Sequence, residues 1–492
     1  MKYKSPGKHR SVEAFREHFR SLAPELDCDD EILAPDGPLQ CPIEVDGHVL
    51  ANRFVTHPME GWDGTADGRP TDLTRRRWRN FGRSGAKLIW GGEAFAVQED
   101  GRANPHQLYR NPSVDIVGDL TALRHEIREG HAEIGESPEE LWMGLQLTHS
   151  GRYACPDGKP APMAAVANPT LDARMKDKAE VQVASDLELG DIVESYVASA
   201  RLARDAGFDF VDVKCCHGYL LHEMLGARER PGPYGGSLEN RMRLFREIVE
   251  RIRTDCPGLA IAVRISISDI LPHSADAASG IGTPARDVDA YGPHSFGLHA
   301  GDDELPDLTE PIEVLSAIQE LGIQLVNITI GSPYYCPHVQ RPAAYPPSDG
   351  YQPPEDPLAS VIRHLRVVRA CKERFSELVM VGSGYSYLQE YLPHVAQQQI
   401  QKGYVDMVGL GRMLLVYPDM IRDILRGEPL ERTRICRTFS ECTTAARHGL
   451  PSGCYPLDPH YKAMPEAQAV DEIQKKNRAA DKNRKKGQDV RS

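Results

Sequence analysis

Residues 378–411, LVMVGSGYSYLQEYLPHVAQQQIQKGYVDMVGLG, contain two short apolar runs joined by a helical segment. The runs are Leu378–Gly382 (LVMVG) and Val405–Leu410 (VDMVGL), and Tyr387–Gly403 between them has apolar residues at helical spacing. Near-continuous apolar runs are typical of strands buried on both faces, as in parallel sheets. The stretch therefore predicts a strand–helix–strand unit with parallel strands.

The same alternation repeats toward the N-terminus. Six further apolar runs precede the unit: Arg53–Met59, Lys87–Gly92, Trp142–Thr148, Phe210–Cys215, Ala260–Ser266 and Leu325–Ile330. The clearest amphipathic helical patterns in the gaps are Asp191–Gly207, Leu238–Cys256, Pro311–Gly322 and Leu358–Phe375. Eight strands alternating with helices predict an α/β fold, a (β/α)8 TIM barrel. An open doubly wound sheet is the alternative, and the lack of a GxGxxG motif after the first strand counts against it.

The pattern divides the chain into three parts. We predict an N-terminal extension over residues 1–38, the barrel over 39–430, and a C-terminal extension with a basic tail over 431–492. The length of 492 residues alone suggests about three domains, but α/β barrels run past 200 residues as one. One long connection, His273–Asp303, follows the fifth strand. In a barrel it opens at the carboxyl-end face, where active sites form.

Composition and charge exclude several classes of protein. The chain has 58 Lys and Arg against 71 Asp and Glu, a net charge of −13, which argues against a nucleic-acid binder. It has no 18-residue apolar run for a membrane span, and its start lacks the apolar stretch of a signal peptide. Eleven cysteines are too sparse for a disulfide scaffold. We expect a cytoplasmic protein with a small-molecule substrate, and a homo-oligomer is compatible with the sequence.

Glycines follow the seventh and eighth predicted strands. The segments are Gly382-Ser383-Gly384 and Gly409-Leu410-Gly411-Arg412. Glycine lets backbone N–H groups approach a phosphate after these two strands of a barrel, and Arg412 would add a charge-assisted contact. The alternative is that each glycine merely serves a tight turn. Because both expected strands carry glycine, the pattern favours a phosphate site.

Two polar residues interrupt apolar strands. Gln146 lies in the third strand and Arg264 in the fifth. A buried amide and a buried guanidinium both need partners. A planar ligand with adjacent donors and acceptors would supply them, whereas a satisfied core amide and a structural salt bridge are the alternatives.

The fourth strand runs into a group of reactive side chains. Lys214, His217 and Tyr219 offer a cation, an imidazole and a phenol, which can polarise a carbonyl and donate a proton. Between them lie Cys215 and Cys216. Adjacent cysteines rarely form a disulfide because the geometry is strained, so we expect buried thiols there.

Taken together, these motifs resemble the Old Yellow Enzyme family of FMN-dependent ene-reductases, including its dienoyl-CoA-reductase and enoate-reductase relatives. The resemblance covers Leu39 to Met420. Its most specific part is His217-Gly218-Tyr219-Leu220, followed by Tyr234-Gly235-Gly236-Ser237 and Glu239-Asn240-Arg241. The other matching segments are Asn52–Met59, Leu145–Arg152, Val263–Ser266 and Gly409–Arg412.

The resemblance implies FMN at the carboxyl-end mouth of the barrel. Gln146 would bind the pyrimidine edge of the flavin ring, and Arg264 would lie near N1 and O2. The remaining cofactor contacts that the resemblance implies are Gly382, Ser383, Gly384, Gly411 and Arg412 for the phosphate, and Pro58, Met59, Glu60 and Gly92 along the ring.

The family reaction implied is a cycle of two half-reactions. NAD(P)H gives hydride to the flavin, and an enone, enoate or enoyl thioester then takes it at the β-carbon. Tyr219 would protonate the α-carbon, while His217 hydrogen-bonds the activating carbonyl; the catalytic position at Lys214 instead offers a point charge that would polarise an enolate or suit a carboxylate substrate. An amine-type dehydrogenase on the same barrel, passing electrons to an external acceptor, is the alternative enzyme. A phosphate-binding barrel without redox chemistry is the non-redox alternative.

Two residues depart from the family pattern near the reacting atoms. Lys214 stands where the family usually has histidine, and Glu60 stands where a small residue is common. A carboxylate there would make flavin reduction harder unless it is paired. We therefore hypothesise an ion pair between Glu60 and Lys214.

Larger relatives bind a [4Fe–4S] cluster through cysteines spaced C-x2-C-x3-C-x11-C. Here Cys442 and Cys454 keep the last spacing, but Ile435 and Thr438 replace the first two cysteines, and Cys436 is one position off. We therefore predict no cluster, and electrons that arrive directly at the FMN, since no second dinucleotide fingerprint is present. We also predict no metal site, because the histidines of the long connection follow no known ligand spacing: His273, His294 and His299.

Overall fold

A computed structural model describes residues 3–285, 288–298 and 306–489 of the chain. Its main sheet has nine parallel strands: eight follow one another in chain order, and the first of these pairs with both the second and the eighth, so the sheet is closed. This confirms the (β/α)8 TIM barrel. The ninth strand, Ala94–Ala96, pairs beside Trp142–Thr148. The barrel strands are β1 (Phe54–Thr56), β2 (Leu88–Ile89), β3 (Trp142–Thr148), β4 (Phe210–Val213), β5 (Ala260–Ser266), β6 (Leu325–Thr329), β7 (Val379–Gly382) and β8 (Met407–Leu410).

A helix follows each barrel strand. These helices are α1 (Asp72–Gly82), α2 (Ile116–Glu133), α3 (Asp186–Asp205), α4 (Arg243–Asp255), α5 (Thr309–Glu320), α6 (Pro357–Arg374), α7 (Leu392–Gln401) and α8 (Met420–Arg426). The extensions carry Val12–Leu22 before the barrel and Glu441–Arg447, Pro459–Lys462 and Glu466–Asp489 after it. Shorter helices in the loops are Pro169–Asp172, Leu220–Leu225, Leu238–Arg241, Val288–Tyr291 and Pro337–Gln340. Every helix in the described ranges is too short or too polar to cross a lipid bilayer.

Helix α3 begins five residues before the predicted start at Asp191. The side chain of Ser185 accepts a hydrogen bond from the backbone N–H of Glu188, and the Glu188 carboxylate accepts one from the backbone N–H of Ser185. This capping box satisfies two N–H groups that a helix start leaves without partners. The cap extends the helix beyond the stretch that its apolar periodicity predicts.

The amino end of the barrel is filled by apolar side chains. Trp142 at the start of β3 packs on Phe210 at the start of β4, with ring centroids 4.7 Å apart. A hairpin formed by Ile43–Val45 and His48–Leu50 adds Val45 and Leu50 to the same cluster. This end of the barrel is closed by packing, so polar chemistry is left to the opposite, carboxyl end.

The long connection after β5 is partly ordered into a hairpin. Its strands His273–Ala275 and Gly282–Pro284 pair in antiparallel fashion, and the ring of His273 lies 4.6 Å from that of His338. His299 of the histidine trio considered above lies outside the described residues. The residues that the structure describes contain no cluster of three or more His, Cys, Asp or Glu side chains able to hold a metal ion.

A buried charge network anchors the loop after β1. The Arg77 guanidinium of α1 lies 3.0 Å from Asp63 and 2.7 Å from Glu93, and both carboxylates are fully buried. Glu93 also accepts a hydrogen bond from the backbone N–H of Gly61. Burial raises the pKa of Glu93 to about 7, while the Arg77 charge opposes that rise. The network ties the segment next to Glu60 to the rest of the barrel.

We predict that Arg77→Met lowers the free energy of unfolding by about 3–5 kcal/mol, because it leaves two buried carboxylates without their cation. Arg79→Met is the matched control on the same helix, where the guanidinium is half-exposed and pairs with Glu126 and Glu133 at the surface. It should cost about 1 kcal/mol or less. Urea denaturation measures both, and equal losses would contradict the account.

Candidate active site

Asp212 of β4 is the centre of the polar network at the carboxyl end of the barrel. One of its oxygens accepts hydrogen bonds from the side chains of Gln146 and Trp90, both at 2.6 Å. The other accepts from the backbone N–H of Arg264 at 2.7 Å. Burial raises the pKa of Asp212, and these hydrogen bonds oppose the rise. One fully buried carboxylate thus connects the ends of four neighbouring strands.

This carboxylate orients Gln146. Because one amide hydrogen of Gln146 donates to Asp212, the carbonyl oxygen and the second amide hydrogen remain for other partners. The side chain of Gln146 is buried, as the sequence predicts for a residue inside the barrel. It therefore offers an acceptor and a donor side by side.

His57, which follows β1, was not singled out from the sequence. Its Nδ1 lies 3.4 Å from a guanidinium nitrogen of Arg264. Since a guanidinium only donates, Nδ1 accepts and Nε2 carries the hydrogen. Burial and the Arg264 charge hold the pKa of His57 well below its ordinary value, so the ring is neutral. A Cβ added to Gly409 would lie 1.7 Å from Nε2, which explains why β8 has glycine there.

Several buried polar atoms at the strand ends have no partner among the described residues. Native interiors leave few such atoms, and each calls for a ligand or ordered water. Their positions on different strands of one mouth fit a polar ligand that reaches across the barrel. The atoms are His57 Nε2, Thr148 Oγ1, Arg264 Nε, Asn327 Nδ2, Thr329 Oγ1 and Arg412 Nη1.

The glycine segments after β7 and β8 form a positively charged corner. Gly384 has a φ of +92°, a conformation that glycine adopts without strain. Arg412 donates from Nη2 to the Pro342 carbonyl at 2.8 Å, which leaves Nη1 available. Burial and the nearby Arg341 charge lower the pKa of Arg412 to about 10, so it stays protonated at neutral pH. The arrangement suits an anion.

Other residues predicted to contact the cofactor differ in their surroundings. A Cβ on Gly92 would lie 2.3 Å from the Trp78 ring, so close packing against α1 already requires glycine there. A Cβ on Gly411 would lie 3.7 Å from Met59 Sδ and 3.8 Å from His57 Cβ, which are ordinary van der Waals contacts. Gly411 thus faces Met59, whereas Gly92 has a structural reason of its own.

The hypothesised ion pair between Lys214 and Glu60 does not form. The Lys214 ammonium lies 3.9 Å from the centre of the Tyr219 ring, and the Tyr219 hydroxyl donates to Glu60. The phenol therefore stands between the two charges, with the cation on its ring face and the carboxylate at its hydroxyl. Burial lowers the pKa of Lys214, and the Glu60 charge partly offsets this.

His217 is held by backbone and side-chain contacts. Its backbone N–H donates to Ser266 Oγ at 3.0 Å, and its carbonyl accepts from Ser332 Oγ at 2.7 Å. The Gln340 amide lies 3.0 Å from Nε2, so Nε2 accepts and Nδ1 carries the hydrogen. Burial, followed by the charges of Arg264 and Lys214, holds the pKa of His217 well below its ordinary value. The ring is a neutral donor.

The structure shows no disulfide bond among the cysteines of its described residues. Burial raises the pKa of Cys216 to about 11, which makes it a poor nucleophile. In the C-terminal extension, Ile435 is fully buried, and Thr438 Oγ1 accepts from the backbone N–H of Ala344 at 2.9 Å. The guanidinium of Arg341 lies 3.7 Å from Cys442 Sγ. The two non-cysteine positions thus have packing and backbone roles.

Part of the chain is similar in sequence to known proteins. The model of the NADH:flavin oxidoreductase / NADH oxidase family matches residues 38–286. An NADPH dehydrogenase of Bacillus subtilis is 31% identical over 248 residues, covering 49% of this chain and 67% of the relative. An NADPH dehydrogenase of Halalkalibacterium halodurans is 29% identical over 325 residues, covering 65% and 78% respectively.

Solved structures share the fold at low identity. A 2-naphthoyl-CoA reductase complex aligns with a TM-score of 0.63 and 18% identity over 86% of this chain and 57% of that one. Histamine dehydrogenase from Rhizobium sp. 4-9 aligns with a TM-score of 0.58 and 21% identity, over 85% of this chain and 51% of that one. An old yellow enzyme homologue from Zymomonas mobilis aligns with a TM-score of 0.55 and 20% identity, over 80% of this chain and 94% of that one. This chain therefore spans little more than half of the first two structures.

We predict that Glu60→Gln lets Tyr219 ionise at lower pH. Burial is the largest cause that raises the pKa of Tyr219 well above its ordinary value, and the Glu60 charge is the next. The variant removes that charge but keeps a side chain of the same shape. NMR of protein labelled at tyrosine Cζ, with Tyr219→Phe to assign the signal, measures the change. An unchanged or higher ionisation pH would contradict the assigned contact.

Proposed function

The chain belongs to the NADH:flavin oxidoreductase / NADH oxidase family, and from this premise we propose that it is an FMN-dependent ene-reductase. It takes hydride from NAD(P)H and reduces an activated C=C bond in an enone, enoate or enoyl thioester. The observation that carries the proposal is the position of the Tyr219 phenol, whose ring centre lies 3.9 Å from the Lys214 ammonium. Lys214 is two residues after Asp212, which binds the Gln146 side chain and the Arg264 backbone. Proton donor and ring-binding groups then share one site.

The residues at the mouth fit FMN. Gln146 and Arg264 would hold the pyrimidine side of its ring, with His57 donating from Nε2. Pro58, Met59, Glu60 and Gly92 remain the proposed contacts along the ring, and Gly382, Ser383, Gly384, Gly411 and Arg412 those of the phosphate. Their support is the set of partnerless buried polar atoms and the positive corner at Arg412. When bound, FMN supplies a ring that takes hydride from NAD(P)H and gives it to the β-carbon of the alkene.

The chain's own residues handle the substrate's oxygen and the proton. His217 Nδ1 donates a hydrogen bond to the activating carbonyl, and Lys214 adds a positive charge as that oxygen becomes negative. Tyr219 then gives its proton to the α-carbon. A lysine at this position favours substrates whose carbonyl gains strong negative charge, or which carry a carboxylate.

We also propose how the rest of the chain serves this site. Residues 39–430 form the catalytic barrel, and 1–38 and 431–492 are its extensions. The roles of Ile435 and Thr438 in packing and hydrogen bonding support a protein without an iron–sulfur cluster, which takes its electrons directly from NAD(P)H. Eleven cysteines without a disulfide bond in the described residues suit a reducing compartment such as the cytoplasm.

Amine oxidation with an external electron acceptor is the second candidate. Glu60 favours it, because this carboxylate at the mouth has no Lys or Arg partner among the described residues and would attract a cationic amine. Its phenol neighbour Tyr219 would then pass the substrate proton to the carboxylate.

Anaerobic stopped-flow absorbance separates the two functions. NADPH should bleach the flavin, and an enone, enoate or enoyl thioester should then restore its colour. If amines bleach the flavin and NADPH does not, the second candidate is right. Testing the three acceptor classes in parallel also identifies the substrate class.

We predict that Tyr219→Phe leaves flavin reduction by NADPH close to the wild-type rate and slows alkene reduction by about 10²–10⁴-fold, the usual loss for a missing general acid. The same stopped-flow assay measures both steps. Reoxidation of the flavin by ferricyanide, which needs no proton, is the control and should be unchanged. Equal loss in both half-reactions would instead show a structural or binding role for the phenol.

A further inference from the structure

Tyr334, in the loop after β6, extends the hydrogen bonds of Tyr219. The two hydroxyl oxygens are 2.9 Å apart, and the Tyr219 hydroxyl also donates to Glu60. A phenol has one hydrogen to donate, so the second contact of Tyr219 must be one in which it accepts. The hydrogen bonds therefore run in one direction, from Tyr334 to Tyr219 and from Tyr219 to Glu60.

This chain of hydroxyl groups connects a buried phenol with solvent. Tyr219 is 3% exposed, whereas Tyr334 is 38% exposed. The Tyr334 side chain therefore meets water, while burial raises the pKa of its hydroxyl well above its ordinary value, so that the hydroxyl keeps its hydrogen at neutral pH. Protons thus have a short path from water to the buried hydroxyl.

The position of Tyr334 is fixed from two sides. Its backbone N–H donates to Ser332 Oγ at 3.2 Å, and Ser332 Oγ donates to the carbonyl of His217. Its ring stacks on Tyr153, with centroids 3.9 Å apart and planes at 6°. The loop after β6 is thereby tied to the loop after β4 that carries Tyr219. Tyr334 is held at hydrogen-bond distance without depending on a substrate.

We propose that Tyr334 is the proton relay that restores Tyr219 after each turnover, an inference that rests on the proposed ene-reductase function. The O–H bond of Tyr219 breaks as a C–H bond forms at the α-carbon of the alkene. The Tyr219 oxygen then takes the hydrogen of Tyr334, and Tyr334 regains a hydrogen from water. The hydride at the β-carbon comes from NAD(P)H, so each turnover consumes one hydride and one water-derived proton.

Glu60 gives the relay its direction. At rest it accepts the Tyr219 hydrogen, and rotation about the phenol C–O bond can turn that hydrogen toward a substrate without moving the oxygen. The carboxylate charge also disfavours a phenolate on Tyr219. Because the phenolate of Tyr219 is unfavourable, it takes up a proton readily from a neighbouring donor. The Tyr334 hydroxyl lies within hydrogen-bond distance and can supply that proton.

The test is Tyr334→Phe, which keeps the stacked ring and removes the hydroxyl. Tyr153→Phe is the matched control, since it removes a hydroxyl from the other ring of the stack. Because a single turnover starts from protonated Tyr219, the relay is tested in steady-state turnover at saturating NADPH and alkene, where we expect Tyr334→Phe to slow alkene reduction by about tenfold, less than loss of the general acid itself. Flavin reduction by NADPH and reoxidation by ferricyanide should be unchanged, and Tyr153→Phe should match wild type in every step.

Two readouts separate a relay from a structural role. In mixtures of light and heavy water, the rate of alkene reduction by wild type should depend on the heavy-water fraction as expected for more than one transferred proton. Tyr334→Phe should be slower and show a different dependence on that fraction. A small acidic buffer should restore part of its rate. In cofactor-free protein, the Tyr219 Cζ NMR signal should shift in Tyr334→Phe and not in Tyr153→Phe. An alkene rate equal to wild type, or equal losses in both half-reactions, overturns the relay.

The same experiment distinguishes failure of the relay from failure of the function. If wild-type flavin is reoxidised by ferricyanide but by no alkene, the ene-reductase proposal is rejected and the relay with it. If wild type reduces alkenes and Tyr334→Phe does so at the same rate, only the relay is rejected.

Discussion

The carboxylate of Asp212 is the interaction on which the mouth of the barrel depends. A fully buried carboxylate is costly unless hydrogen bonds satisfy it, and here it receives them from Trp90, Gln146 and the backbone of Arg264. These donors belong to the neighbouring strand ends β2, β3 and β5. The need to satisfy one charge therefore fixes the orientation of the amide and aligns the strand that carries the guanidinium.

The end of the site at Tyr219 shows a different balance of charge. Lys214 and Glu60 do not neutralise each other directly, because the Tyr219 phenol lies between them. The cation lies on the face of the ring, where the aromatic quadrupole attracts it, and the carboxylate accepts the hydroxyl. The phenol is thereby held neutral and oriented. Lys214 and Glu60, the two residues that depart from the family pattern, thus belong to one arrangement around Tyr219.

The barrel and part of its site were predictable from the sequence, and the reasons are physical. Apolar strands and amphipathic helices have periods that can be read along the chain, and Gln146 and Arg264 stand out because they interrupt apolar runs. Asp212 does not stand out, since a polar residue within FVDV resembles ordinary strand alternation. The importance of Tyr334 depends on a contact with Tyr219 across 115 positions, which no local pattern encodes. The prediction of a Lys214–Glu60 ion pair was wrong because no local pattern shows that the Tyr219 phenol contacts both side chains.

A crystal structure of the protein with its bound cofactor tests the central claim most directly, namely that the strand ends organised by Asp212 form a flavin site. The account predicts FMN with its pyrimidine edge at Gln146 and Arg264 and its phosphate at Gly384 and Arg412. Flavin bound elsewhere, or a mouth that holds a different ligand on these side chains, would contradict it.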